Sequence, residues 1–172
     1  MIIKQNGIKY KVVEVIEEDN EKIIVNGLDV TEYEKWYDEE YCLEEVKKTG
    51  YALRFVKEQT EKICLEAVKR NGSALAYVKD QTEEICVEAV KQNSYALEFV
   101  KNKTEKICIE AVKQDGWTLK YVKNQTEKIC IEAVKENGCA LRYVEKQTEE
   151  MCIEAVKEND YALQYVDKRV FK

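Results

Sequence analysis

The chain has no histidine and no proline, and only six glycines among 172 residues. Without an imidazole it lacks the commonest general base and metal ligand, and every triad built around one. Its glycines are scattered and form no phosphate-cradling loop. No run of 18 apolar residues occurs, so no segment is expected to span a membrane as a helix. The opening MIIKQNGIKYK places a lysine and turn residues where a secretory signal would be apolar. The absence of proline predicts regular structure with few breaks.

What is present belongs to a folded chain. Hydrophobic residues make up 45%, enough for a sizeable core despite 36% charge. The net charge of −6 argues against a general nucleic-acid binder, which would carry a basic stripe. Seven cysteines, an odd number with no secretion signal, point to a reducing, cytoplasmic setting.

The dominant signal is repetition. Cys42, Cys64, Cys86, Cys108, Cys130 and Cys152 recur every 22 residues. Val46 and Leu53 each head a series with the same spacing, ending at Val156 and Leu163. Thr60, Thr82, Thr104, Thr126 and Thr148 occupy another register, with Asp38 in the first place. Six copies without an insertion specify a repeat architecture.

Each copy reads as two short helices, of about ten and seven residues. The threonine, or Asp38, suits an N-cap, and the glutamate after it suits the positive end of the helix dipole. The first helix runs through EKICLEAVK and stops at NG, NS, DG or ND. There Gly72 and Gly138 are expected as left-handed residues, with Asn or Asp tolerating similar angles. In the second helix Ala52, Leu53, Phe55 and Val56 are expected to face inward, and the Phe55 slot is aromatic in all six copies, through Tyr165. Helices this short need stacked neighbours to persist. The expected fold is mostly α: a right-handed-type α-solenoid of six two-helix repeats over residues 36–168, with a short tail at 169–172.

Residues 1–35 lie outside the repeat. Asn6-Gly7 between β-branched residues signals a hairpin, DNEK a second turn and KIIVNGLDV a third strand. So small a β segment does not fold alone, and it is expected to cap the first repeat. At the other end Val170 and Phe171 replace the threonine and glutamate. That leaves an apolar end face, through which a homodimer is expected.

The cysteine ladder reads as core packing. No CxxC occurs, and zinc-ligand spacing is absent, so no metal is expected. Helices stacked about 9–10 Å apart hold equivalent cysteines too far apart for disulfides. Beside Ile, Leu or Val, each acts as a small buried hydrophobe. No carboxylate pair stands out for acid–base work, so neither an enzyme nor a cofactor is expected.

Recognition is expected where the copies differ. The first slot of the second helix reads Tyr51, Ser73, Tyr95, Trp117, Cys139, Tyr161. Three residues on come Arg54, Ala76, Glu98, Lys120, Arg142, Gln164. The two slots share a helix face and make a stripe of aromatics and mixed charges. Tyr, Trp and Arg are the residues that anchor protein interfaces. The candidate binding residues are therefore Tyr51, Arg54, Tyr95, Glu98, Trp117, Lys120, Cys139, Arg142 and Tyr161. An alternative is that these aromatics only pack on the next repeat. Cys139, on this face, is expected to react with thiol reagents more readily than Cys130.

The pattern QTxEICxEAVKxNGxALxYVK, over residues 37–167, resembles a family of short helical repeats of unknown function found in tandem in bacterial and giant-virus proteins. The first copy departs from it, with Asp38 for threonine and Glu45 for alanine. The resemblance implies a helical solenoid, and it implies no activity and no functional residues. The reading that follows is a non-catalytic scaffold holding another protein along the stripe. The alternative is a phage-encoded inhibitor of a host defence complex, like anti-CRISPR proteins in size, acidity and lack of cofactors.

Overall fold

The computed structural model describes residues 35–171 throughout, and the backbone of three strands within residues 2–29. The strands are β1 (Ile2–Gln5), β2 (Ile8–Glu18) and β3 (Glu21–Asp29), paired antiparallel in the order β1-β2-β3. The Asn6-Gly7 turn and the start of the second turn lie outside the described residues. The expected capping of the first repeat by this segment is not supported. A meander of this kind closes its ladders internally. At the described start of the helical array stands Trp36 instead. Its ring lies 5.2 Å from Phe55 and 5.3 Å from Tyr41. Its carbonyl accepts from Cys42 Sγ at 3.4 Å and Lys57 N at 3.0 Å.

Six α-helices of ten residues follow: α1 (Glu39–Lys48), α2 (Glu61–Arg70), α3 (Glu83–Gln92), α4 (Glu105–Gln114), α5 (Glu127–Glu136) and α6 (Glu149–Glu158). Each is followed by a six-residue 3-10 helix: η1 (Gly50–Phe55), η2 (Gly72–Tyr77), η3 (Ser94–Phe99), η4 (Gly116–Tyr121), η5 (Gly138–Tyr143) and η6 (Asp160–Tyr165). The second element of the repeat is thus tighter than an α-helix and one residue shorter than its sequence suggests. Among the described residues the helices pack mainly within a repeat or on the next one, in two layers, which makes the array an α-solenoid.

The α-helices start as their sequence dictates. The Ile63 amide donates to Thr60 Oγ1 at 3.3 Å, and the Tyr41 amide to Asp38 Oδ1 at 2.7 Å. The threonine hydroxyl has a second use: Thr104 Oγ1 donates to Glu83 Oε1 at 2.9 Å and Thr126 Oγ1 to Glu105 Oε1 at 2.7 Å, each tying a helix start to the preceding repeat. The core column repeats Ile63, Cys64, Ala67 and Val68 of α2, with Ala74, Leu75 and Val78 from the 3-10 layer, all essentially buried. Full burial of one such leucine contributes about 2–3 kcal/mol. Ten-residue helices need that, since alone they do not persist.

The turn between layers differs from expectation. The residue closing α2 is Asn71, with φ −155°, so it is extended rather than left-handed. Its side chain caps the 3-10 helix by accepting from the Ser73 amide at 3.0 Å. Asp115 does the same for Trp117 at 2.9 Å. The glycines are not left-handed either. Close approach favours them: a Cβ on Gly72 would press into the Ala89 carbonyl of the next repeat, and one on Gly138 into that of Ala155, although the third repeat holds Ser94 in this slot. Asp160, in the same slot of the sixth repeat, is exposed.

Candidate functional site

In a 3-10 helix residues i and i+3 eclipse, so the two variable slots come to one edge. Tyr51 is 43% exposed, Tyr95 40% and Tyr161 76%, while Trp117 and Cys139 are half-buried. Arg54, Glu98, Lys120 and Arg142 are all exposed along the same edge. The structure therefore places the nine sequence-predicted residues along the 3-10 edge, interrupted at the second repeat by Ser73 and Ala76.

A third row joins them against expectation. Phe55 was expected to point inward, yet it is 44% exposed, and Tyr77 and Phe99 are likewise open. The six-residue 3-10 turn buries its third and fourth residues, as with Ala52 and Leu53, and carries the sixth back to the surface. Where the preceding repeat has an aromatic in its first slot, the aromatic of this row meets it edge to face. The ring centroids are 6.1 Å apart for Tyr51–Tyr77, 6.3 Å for Tyr95–Tyr121 and 5.8 Å for Trp117–Tyr143. Such a pair contributes about 0.5–1.5 kcal/mol beyond its burial. Packing on the next repeat is thus part of what these aromatics do, and the exposed part of each ring remains available.

Cations lie over the rings. Arg54 stands 4.5 Å from the Phe55 centroid. Lys120 is 4.7 Å from Tyr121 and 5.2 Å from Tyr95. Arg142 is 5.2 Å from Tyr143 and 5.5 Å from Tyr165. Hydrogen bonding to Asp115 raises the Tyr95 phenol above its ordinary pKa. At the N-terminal end, Trp36, Tyr51, Arg54, Phe55 and Tyr77 line a cavity of about 560 Å³. That size suits a bulky side chain or small ligand.

The cysteine ladder stays apart from this face. All seven cysteines are free, six are buried, and Cys139 alone is half-buried. Burial pushes the Cys64 and Cys130 thiols up to about 11, with lesser contributions from nearby carboxylates, Asp80 for Cys64 and Glu145 for Cys130. Among the described residues no three Cys, Asp or Glu side chains converge as they would around a metal ion. Nor is any described helix long and apolar enough to cross a membrane.

The glutamines just before the caps carry a role that the sequence pattern does not display. Gln125 Nε2 donates to Tyr143 O of the next repeat at 2.8 Å, and its Oε1 accepts the Glu145 amide at 3.0 Å. The same side chain accepts from Cys130 Sγ at 3.5 Å. Gln59, Gln81 and Gln147 make equivalent bridges. The signal is the glutamine itself, which precedes four of the five threonine caps.

Tandem 22-residue units, each an α-helix and a 3-10 helix, with a variable aromatic edge, define a helical repeat protein. A family model for a domain of unknown function (DUF4116) matches residues 60–104, 83–126, 104–148 and 126–171. Those overlapping stretches span well over half of the chain, and the chain belongs to that family. No curated protein and no solved structure matches it. The matches begin at Thr60, and the first copy keeps the architecture with Asp38 as its cap.

Proposed function

We propose that the protein is a non-catalytic, cytoplasmic scaffold that holds another protein along the edge of its 3-10 helices. The observation that carries this reading is the half-exposed aromatic row with Arg54, Lys120 and Arg142 laid over it, ending in the aromatic cavity beside Trp36. Rigid aromatics flanked by arginine are the usual anchors of protein interfaces. The repeat core supplies rigidity, and the differences between copies supply selectivity. No observation favours the narrower reading of an inhibitor of a host defence complex.

The test spares the ring–ring contacts and changes the charges. Arg54→Glu, Lys120→Glu and Arg142→Glu are combined, and helicity and unfolding are compared with the parent. The reading expects an unchanged fold and loss of a partner captured from the native cell. Full-strength capture by the variant would overturn it.

A second reading concerns the C-terminal end, where we infer homodimerisation. Leu163 is 65% exposed, whereas its five equivalents from Leu53 to Leu141 are fully buried. Ile153 and Phe171 add to the same open end. A second copy presents an equal apolar surface to it.

A further inference from the structure

The third seam of the solenoid departs from the others at one residue. Lys103 occupies the slot that holds Gln59, Gln81, Gln125 and Gln147 at the other seams. Each of those glutamines offers Oε1 to a backbone amide 20 residues on: Lys79 at 2.9 Å, Lys101 at 2.9 Å, Glu145 at 3.0 Å and Asp167 at 2.8 Å. Each also accepts a cysteine thiol, at 3.3–3.9 Å. A lysine has no acceptor to offer. The Lys123 amide and the Cys108 thiol, in the equivalent places, have no such partner.

The surrounding lysines change as well. Lys79 Nζ donates to Lys57 O at 2.9 Å, and Lys101 Nζ to Lys79 O at 2.6 Å. Lys123, next in that row, makes no such bond. Lys103 Nζ is held at the seam by Val100 O, 2.7 Å away. Lys101, Asn102, Lys103, Val122, Lys123 and Asn124 together line a cavity of about 260 Å³. No carboxylate lines it. Acidic residues line the two adjoining cavities instead: Asp80 and Glu83 in the one that shares Lys101 and Asn102, Glu127 and Glu145 in the one that shares Lys123 and Asn124. Glu83 is engaged there by Lys106 at 3.2 Å and Thr104 at 2.9 Å.

Three lysines and two asparagines line one small space, beside an amide N–H that lacks its usual acceptor. What is missing is an oxygen, and the local charge calls for it to be anionic. We propose that this cavity binds a small oxyanion of the phosphate class, one of whose oxygens takes the place of the glutamine carbonyl. At about 260 Å³ the space is below the usual range for drug-sized ligands, so it suits a phosphate or phosphomonoester head rather than a nucleotide. Charge-assisted hydrogen bonds from lysine would supply most of the affinity.

The test titrates inorganic phosphate, and separately phosphoserine, into the whole chain by calorimetry, against sodium chloride at matched ionic strength. Saturable binding of phosphate beyond the salt control is expected. Saturation by phosphoserine as well would identify a phosphomonoester head as a ligand, and its failure to bind would restrict the site to the free ion. Lys103→Gln restores the sequence of the other seams, so it is expected to fold at least as well as the parent. It should weaken phosphate binding by about tenfold or more, having lost one charge-assisted contact and gained a competing carbonyl. Lys123→Gln should weaken it too, and Lys69→Gln, on α2, should leave it unchanged. Phosphate that behaves no differently from chloride would overturn the proposal. So would equal affinity in Lys103→Gln and the parent.

Discussion

Gln125 donates through Nε2 to the Tyr143 carbonyl, 18 residues further on and 2.8 Å away, and so fastens one repeat to the next. That bond, with the Glu145 amide returning to Oε1, gives the seam the hydrogen bonding of a short stretch of backbone. Gln125→Leu keeps the bulk and removes both bonds. The expected cost is about 1–3 kcal/mol, mainly from the Glu145 amide and Tyr143 carbonyl left without partners. Urea unfolding measures it, and a loss within experimental error would show that water replaces the side chain.

Glycine at the repeat junction yields a prediction of sign. Gly72→Ala in a helical segment with ordinary backbone angles would normally stabilise a protein by about 0.4–1 kcal/mol. Here the methyl presses into the Ala89 carbonyl, and the seam must open. The expected result is destabilisation of about 1–3 kcal/mol. Asp160→Ala, in the same slot but at an exposed position, should stay within about 0.5 kcal/mol of the parent. Thermal unfolding of the two variants side by side separates contact from propensity.

The cysteines differ in access. At pH 8 a small thiol reagent should modify Cys139 quickly and the buried six only at the rate of unfolding. Mass mapping after a short exposure shows which thiols reacted. Equal protection of Cys139 and Cys130 would contradict the placement of the variable edge at the surface.

The raised thiols also set a pH dependence. Folding holds Cys64 and Cys130 in their protonated form, with pKa near 11. Their contribution is therefore complete below the unfolded thiol value of about 8.5 and is lost as the pH climbs toward 11. Between those limits stability should fall by up to about 1.4 kcal/mol per pH unit for each such thiol. In the Cys64→Ala, Cys130→Ala variant the fall should be shallower, while tyrosine titration is common to both proteins. Identical slopes from pH 8.5 to 10.5 would refute this assignment.

Association through the last repeat is expected to depend on Leu163. Sedimentation at tens of micromolar should show a dimer for the parent. Leu163→Lys should return it to a monomer with an unchanged helix signal. A parent that is monomeric at that concentration would eliminate the end-face interface.

Much of this architecture was readable from the residue pattern, because it rests on local chemistry. Thr60 caps because its hydroxyl reaches an amide three residues on, and Cys64, Val68 and Leu75 recur in register because each copy buries the same column. The candidate edge was readable too, since Tyr51 and Arg54 are three residues apart. Less accessible was the position of Phe55, which depends on the second element being a 3-10 turn rather than an α-helix.

By itself, then, the sequence determined the period, the helix starts, the buried columns and the variable edge, all of which follow from interactions within a few residues. Tertiary structure alone decided why Gly72 is glycine, what Gln125 holds and why Lys103 matters. Each of those depends on a carbonyl or amide about 17 to 20 residues away, brought near only when one repeat stacks on the next.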